Sequence, residues 1–227
     1  TMVPNRLEPE ELSPETMEPG RERKPPSKMN KTRRGRGKHN QKGGNYDGKF
    51  SIWGSNSNGL KAKLNSLKAN IEYYKKPSCI TIQETKLRQT STVQIKGYKV
   101  FEKVRAGYGG GILTAVIDEL EPVLISDGDD ENEVLVVQIK VGKENIRIFN
   151  CYGPQEDEEK TRKNSFWTTL EKEVICAKDQ DCYILIQMDA NAKVGKEIIK
   201  DDPNKQSKNG KLLMEVLSRQ NLHLLNS

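Results

Sequence analysis

From Phe50 onward the chain alternates short apolar runs with stretches of helical periodicity, and several of the apolar runs end in a polar cluster. That alternation constrains the fold more than any other feature. Strands alone, or helices alone, would carry one period throughout; a chain that switches between them builds α/β layers. Leu60, Leu64, Leu67 and Ile71 recur at helical spacing and predict a helix that Pro77 closes. Residues 79–82 read as a buried strand, and 98–101, 111–117, 122–126, 134–141 and 146–151 read as further strands, mostly antiparallel. A helix is predicted over 158–177 with Phe166, Leu170 and Val174 inward, then a strongly apolar strand over 183–188. A helix over 210–219 and a last strand over 222–225 complete the pattern. The expected architecture is a layered α/β sandwich of two mixed sheets flanked by helices.

Residues 1–49 have a different texture. Pro4, Pro9, Pro14 and Pro19 recur without apolar bulk, which predicts a disordered tail. Its charge is split. Residues 1–20 hold Arg6 against five glutamates, and 21–44 hold ten basic residues against Glu22. Of the chain's net +6, that leaves +1 for residues 45–227. The folded part is nearly neutral, and the basic character belongs to the tail. The block around Arg33, Arg34, Arg36 and Lys38 reads as a phosphate-binding or nuclear-address segment, with a solvated charge run as the plainer alternative. No run approaches the ~18 apolar residues of a membrane helix, and no apolar leader opens the chain. A nuclear or cytoplasmic protein is expected rather than a secreted one. Cys79, Cys151, Cys176 and Cys182 show no CxxC spacing and read as reduced buried thiols, not zinc ligands.

The chemistry lies where the apolar runs stop. Residues 51–53 lead into Gly54-Ser55-Asn56-Ser57-Asn58-Gly59, 80–82 into Gln83-Glu84-Thr85, 148–149 into Asn150-Cys151-Tyr152-Gly153-Pro154, and 184–186 into Gln187-Met188-Asp189-Ala190-Asn191. Side chains at strand ends converge on one rim of an α/β sheet, where ligands bind. Carboxylates with amides and phenols are hard oxygen donors, suited to Mg²⁺ and phosphate.

These four motifs, in this order and spacing, resemble the endonuclease/exonuclease/phosphatase superfamily, and Gly109-Gly110-Gly111-Ile112 is similar to its glycine-led strand. Gln83-Glu84-Thr85-Lys86-Leu87 and Asn150-Cys151-Tyr152-Gly153-Pro154 resemble the apurinic-like endonuclease domain of non-LTR retrotransposons, over roughly residues 50–227. The resemblance implies Mg²⁺-dependent hydrolysis of a DNA phosphodiester, with Mn²⁺ as an alternative metal, and DNA as the partner of the domain and tail. It implies that Glu84 and Asn56 hold the metal and that Tyr152 hydrogen-bonds a phosphate oxygen. Asp189 would orient or deprotonate the attacking water, and Asn191 would stabilise transition-state charge. Two departures stand out. Met188 replaces the glycine usual before the aspartate, and the aspartate and Ser-Asp-His signatures of the last strands are absent from this sequence. Weak or lost activity is therefore expected, as of a fragment or decayed copy. A non-catalytic nucleic-acid-binding scaffold and another phosphodiesterase or phosphatase of the same superfamily are the rival readings.

Three further signals read as structural. Residues 107–111 lack the Gly-Lys-Ser/Thr ending of a P-loop and are expected to turn into a strand. Residues 127–131 lack the EF-hand pattern and are expected to form a solvated loop. His223 is expected within the last strand, and Trp53 in the core.

Overall fold

The computed structural model describes residues 49–74, 76–107, 109–195 and 205–225. Residues 1–48 of the tail, with Arg33, Arg34, Arg36 and Lys38, lie outside them. The elements run β1 (Ile52–Asn56), α1 (Leu64–Tyr73), β2 (Cys79–Gln83), β3 (Tyr98–Lys103), β4 (Ile112–Ile117), β5 (Val123–Ser126), β6 (Glu133–Val141), β7 (Glu144–Tyr152), α2 (Lys160–Asp179), β8 (Tyr183–Asp189) and α3 (Lys208–Arg219). They form two four-stranded mixed sheets, ordered β1-β2-β4-β3 and β5-β6-β7-β8. Each sheet has one parallel pair at one end: β1 with β2, joined through α1, and β7 with β8, joined through α2. The remaining pairs are antiparallel.

Alternation along β6 and β7 shows how the layers stack. Leu135, Val137, Ile139 and Ile148 join a buried cluster with Ile82, Leu113 and Ala115 of the other sheet. Their neighbours Val134, Val136, Phe149 and Cys151 point the other way, into a second cluster with Phe166, Trp167 and Leu170 of α2 and Leu213 and Val216 of α3. Period two in a strand sends alternate side chains to opposite faces, so one sheet serves two cores. β2 and β4 are buried at every position, because sheet and helix cover both their faces. α1 lays Leu64, Leu67 and Ile71 on its sheet, the stripe its periodicity predicts.

Several expectations need correction. Residues 222–225 are not a strand. After α3, Asn221 takes a left-handed φ of 46°, and the Leu222 N–H returns to the Leu217 carbonyl at 2.9 Å. This is a helix C-terminal closure. Leu222 then packs on the second core, and no described strand lies alongside to pair with the alternating leucines. His223 is accordingly exposed rather than set in a sheet. Residues 127–131 do form the expected loop between β5 and β6, exposed at every position but Gly128. Asp129 accepts from the Glu131 and Asn132 N–H groups and from the Thr169 hydroxyl, so α2 tethers the loop. Of the four free cysteines, Cys79 and Cys151 are buried, whereas Cys176 and Cys182 are half-buried. No described helix is long and apolar enough to cross a membrane.

Candidate active site

The two parallel pairs finish at one rim. Asn56 is the last residue of β1, and its register partner Gln83 is the last of β2. Tyr152 and Asp189 are likewise the paired last residues of β7 and β8. Four strand ends thus deliver polar groups to one place, and hydrogen bonds show that they meet. The Asn56 amide donates to Glu84 Oε1 at 2.9 Å and to Asp189 Oδ2 at 2.8 Å. The Tyr152 hydroxyl donates to the same Glu84 oxygen at 2.8 Å and accepts from the Gln155 amide at 2.9 Å. Two carboxylates from different sheets therefore face one another across a single amide nitrogen.

Asn191 stands beside this group but turns inward. Its side-chain amide donates to the Gly153 carbonyl at 2.8 Å, and its own N–H reaches Asp189 Oδ1 at 3.2 Å. The Gly153 N–H donates to the Asp189 carbonyl at 2.8 Å. Gly153 allows that approach: a Cβ there would fall 2.7 Å from the Ala190 oxygen. Met188, in place of the expected glycine, directs its side chain to the second core and leaves Asp189 at the rim.

Backbone strain collects here. Asn58, Glu84, Lys86 and Asn191 all have left-handed φ, between 44° and 50°. Non-glycine residues pay for that conformation and hold it only when their surroundings over-determine it, as they do at functional sites. Around Glu84 they do so through backbone bonds. Gly59 N–H donates to the Glu84 carbonyl, Leu60 N–H to that of Thr85, Thr85 N–H to Gly111 and Lys86 N–H to Gly110, all between 2.8 and 2.9 Å.

The electrostatics favour the charged form of Glu84 and the neutral form of Tyr152. The Asn56 amide, with smaller help from Tyr152 and Lys86, holds the Glu84 carboxyl below its usual range against the opposing effect of burial. Burial, reinforced by Glu84, pushes the Tyr152 phenol up to about 12. At neutral pH Glu84 is an acceptor and Tyr152 a donor. No group of three or more His, Cys, Asp or Glu residues converges among the described residues. Two carboxylates and an amide suit a hard cation that keeps several waters and takes substrate oxygens, the habit of Mg²⁺.

The side chains that support this group are buried. Asn209, at the start of α3, is fully buried; it donates to the Pro154 carbonyl at 2.7 Å and the Asn191 carbonyl at 3.2 Å, and accepts from the Trp167 indole. Gln83 donates to Asn150 Oδ1 at 2.7 Å between the sheets. Both motif residues were visible as polar groups at strand ends, but nothing in their spacing pairs them.

No family model and no curated protein matches this chain. Solved structures do. A Neisseria 3′ phosphatase, NExo, solved with a product DNA hairpin, matches at 16% identity and a TM-score of 0.57, over 75% of this chain and 71% of that one. An AP endonuclease from Archaeoglobus fulgidus matches at 18% and 0.57, over 75% and 71%. The endonuclease domain of TRAS1, a telomere-specific non-LTR retrotransposon, matches at 17% and 0.56, over 79% and 74%. The shared property is the fold: two mixed sheets flanked by helices, of endonuclease/exonuclease/phosphatase type.

Proposed function

We propose that this domain hydrolyses phosphodiesters of DNA with Mg²⁺, nicking a strand as an apurinic-like endonuclease of retrotransposon type would. The observation that carries the reading is the Asn56 amide shared between Glu84 and Asp189. On this reading the residue proposed to hold the cation and the residue proposed as base share one hydrogen-bond donor. The likeness in fold to nucleases and a phosphatase supports DNA as the substrate class.

In this reading Glu84 holds the cation through oxygen, and Asn56 joins it by giving up the bond its Oδ1 accepts from the Asn58 N–H at 3.0 Å and turning that oxygen to the carboxylates its nitrogen now faces. When bound, Mg²⁺ supplies charge neutralisation at the scissile phosphate. Asp189 Oδ2 orients and deprotonates the attacking water. Tyr152, kept protonated, donates to a phosphate oxygen, and Asn191 offers its amide to the charge that develops there. Both are committed to protein partners in this structure, Tyr152 to Glu84 and Asn191 to Gly153, so each turns toward substrate by exchanging one hydrogen bond for another. His223, the one histidine among the described residues, is exposed and joins none of these groups. The site works with carboxylates, amides and a phenol, and slow nicking is expected.

The test is relaxation of supercoiled plasmid with Mg²⁺, with a chelator, and with Glu84→Ala. Mg²⁺-dependent nicking lost in the variant supports the reading. DNA binding that survives in the variant, without nicking by either protein, selects the scaffold alternative. Release of inorganic phosphate without nicking selects a phosphatase.

A further inference from the structure

Glu133 is the most conspicuous charge that the proposed chemistry does not use. It opens β6, directly opposite Tyr152 in the ladder, and is 2% exposed. A carboxylate so placed is costly unless it is paired and hydrogen-bonded. Its Oε1 accepts the Gly111 N–H, and Oε2 faces Arg105 at 3.6 Å. Burial holds its carboxyl above the ordinary value.

The Gly111 contact has consequences at the rim. Gly110 and Gly111 are the two residues whose carbonyls accept the N–H groups of Lys86 and Thr85. Those bonds hold the two residues that follow Glu84, in the strained 84–86 turn. The fit around the glycines is close. A Cβ on Gly110 would lie 2.7 Å from Glu133 Oε1, and one on Gly111 would lie 2.5 Å from Thr85 Oγ1. Thr85 Oγ1 is itself buried without a hydrogen-bond partner, so it does not hold the turn. Behind residues 110–111, where they lead into β4, stands Glu133, whose Oε1 takes the Gly111 N–H.

We infer that Glu133 is a positioning residue: by holding Gly111 it fixes the turn that keeps Glu84 in its left-handed conformation, facing Asn56 and Asp189. The inference rests on the reading of Glu84 as a cation ligand, but its mechanical part stands without any metal.

The experiment separates the two. Glu133→Leu removes the acceptor at similar volume, Glu133→Asp withdraws it by one methylene should the leucine variant fail to fold, and Glu133→Gln keeps an acceptor oxygen. Val137→Ala, a cavity in the same strand away from the turn, controls for general loosening. In the metal-free full chain, the ¹³Cα and ¹³Cβ shifts of Glu84 and Lys86 report their backbone conformation; Mn²⁺ binding is read separately by water-proton relaxation. Expected is movement of both residues' shifts out of the left-handed range in the leucine and aspartate variants. Mn²⁺ affinity should fall roughly 10-fold or more, as for other groups that orient a ligand from behind. The glutamine variant should restore both, and Val137→Ala should disturb neither. Unchanged shifts in the leucine and aspartate variants, or the same change in Val137→Ala, would overturn the inference. If the shifts respond but wild-type protein binds no Mn²⁺, the positioning holds and the reading of Glu84 as a ligand fails.

Discussion

Asn150 ties the two sheets together through Gln83. Its Oδ1 accepts from the Gln83 amide at 2.7 Å, while its own amide donates to the Leu113 carbonyl at 2.7 Å and the Ile82 carbonyl at 3.3 Å. Both side chains are buried, one residue from Glu84 and two from Tyr152. A polar link in an apolar interface is stable only when every member is satisfied. Asn150→Leu keeps the volume and strands the Gln83 amide and two carbonyls. The expected loss is about 3 kcal/mol of unfolding free energy, measured by urea denaturation. A loss near zero would show that water replaces the link.

The Asn56 amide is the largest cause of the low Glu84 carboxyl, and the Tyr152 hydroxyl a smaller one. Removing a donor to the charged form raises a carboxyl toward its ordinary value. The acid limb of the pH–rate profile should therefore move to higher pH in Tyr152→Phe, and further in Asn56→Ala. Tyr152→Phe should also lose roughly 100-fold in rate if its hydroxyl donates in the transition state. An acid limb that stays put in both variants would mean that Glu84 does not govern it.

Asn209 holds the loops after β7 and β8 from one buried position. Asn209→Ala strands the Pro154 carbonyl and the Trp167 N–H, at a cost of about 1–3 kcal/mol. Nicking should fall more than stability accounts for, because Asn191 is displaced with its loop. Thermal melting beside single-turnover rates on the same preparation separates the two effects.

Glu171 receives two bonds of 2.9 Å from Arg219, joining α2 to α3. Arg219 first, then Gln220, holds the Glu171 carboxyl down to about 2 from an ordinary 4.5. A depressed carboxyl contributes stability that is present above the unfolded value and lost as pH falls through the folded one. Glu171→Gln should therefore be less stable than wild type at pH 6, and the gap should close between pH 4.5 and 2. Denaturant midpoints across that range check it. The gap at pH 6 should shrink in high salt, since Arg219 is solvent-facing.

The strands whose apolar runs are unbroken, β2, β4 and β8, and the helices with a clear stripe, α1 and α2, are placed by the sequence to within a few residues. So are the strand ends that carry Asn56, Glu84, Tyr152 and Asp189, because a polar cluster after an apolar run is a local signal. The strand expected over 222–225 fails for the complementary reason. Leucine alternation gives a period but supplies no neighbour, and the helix end at Asn221 spends those residues on closing α3. The roles of Glu133 and Asn209 were not legible, because each acts through backbone groups far along the chain. A carboxylate on an N–H, or an amide on two carbonyls, leaves no mark in residue spacing.

The division of the site between two sheets has a consequence for how this protein fails. Asn56 and Glu84 travel with one sheet, Tyr152 and Asp189 with the other, and each sheet has its own ladder and helical cover. A slip at the interface would scatter the four groups while leaving every strand paired. Inactivation should then precede melting: at rising urea, catalysis should disappear while far-ultraviolet circular dichroism still reads a native complement of helix and strand. The chemistry would serve as an early-warning gauge of registry between the layers, more sensitive than any probe of the layers themselves.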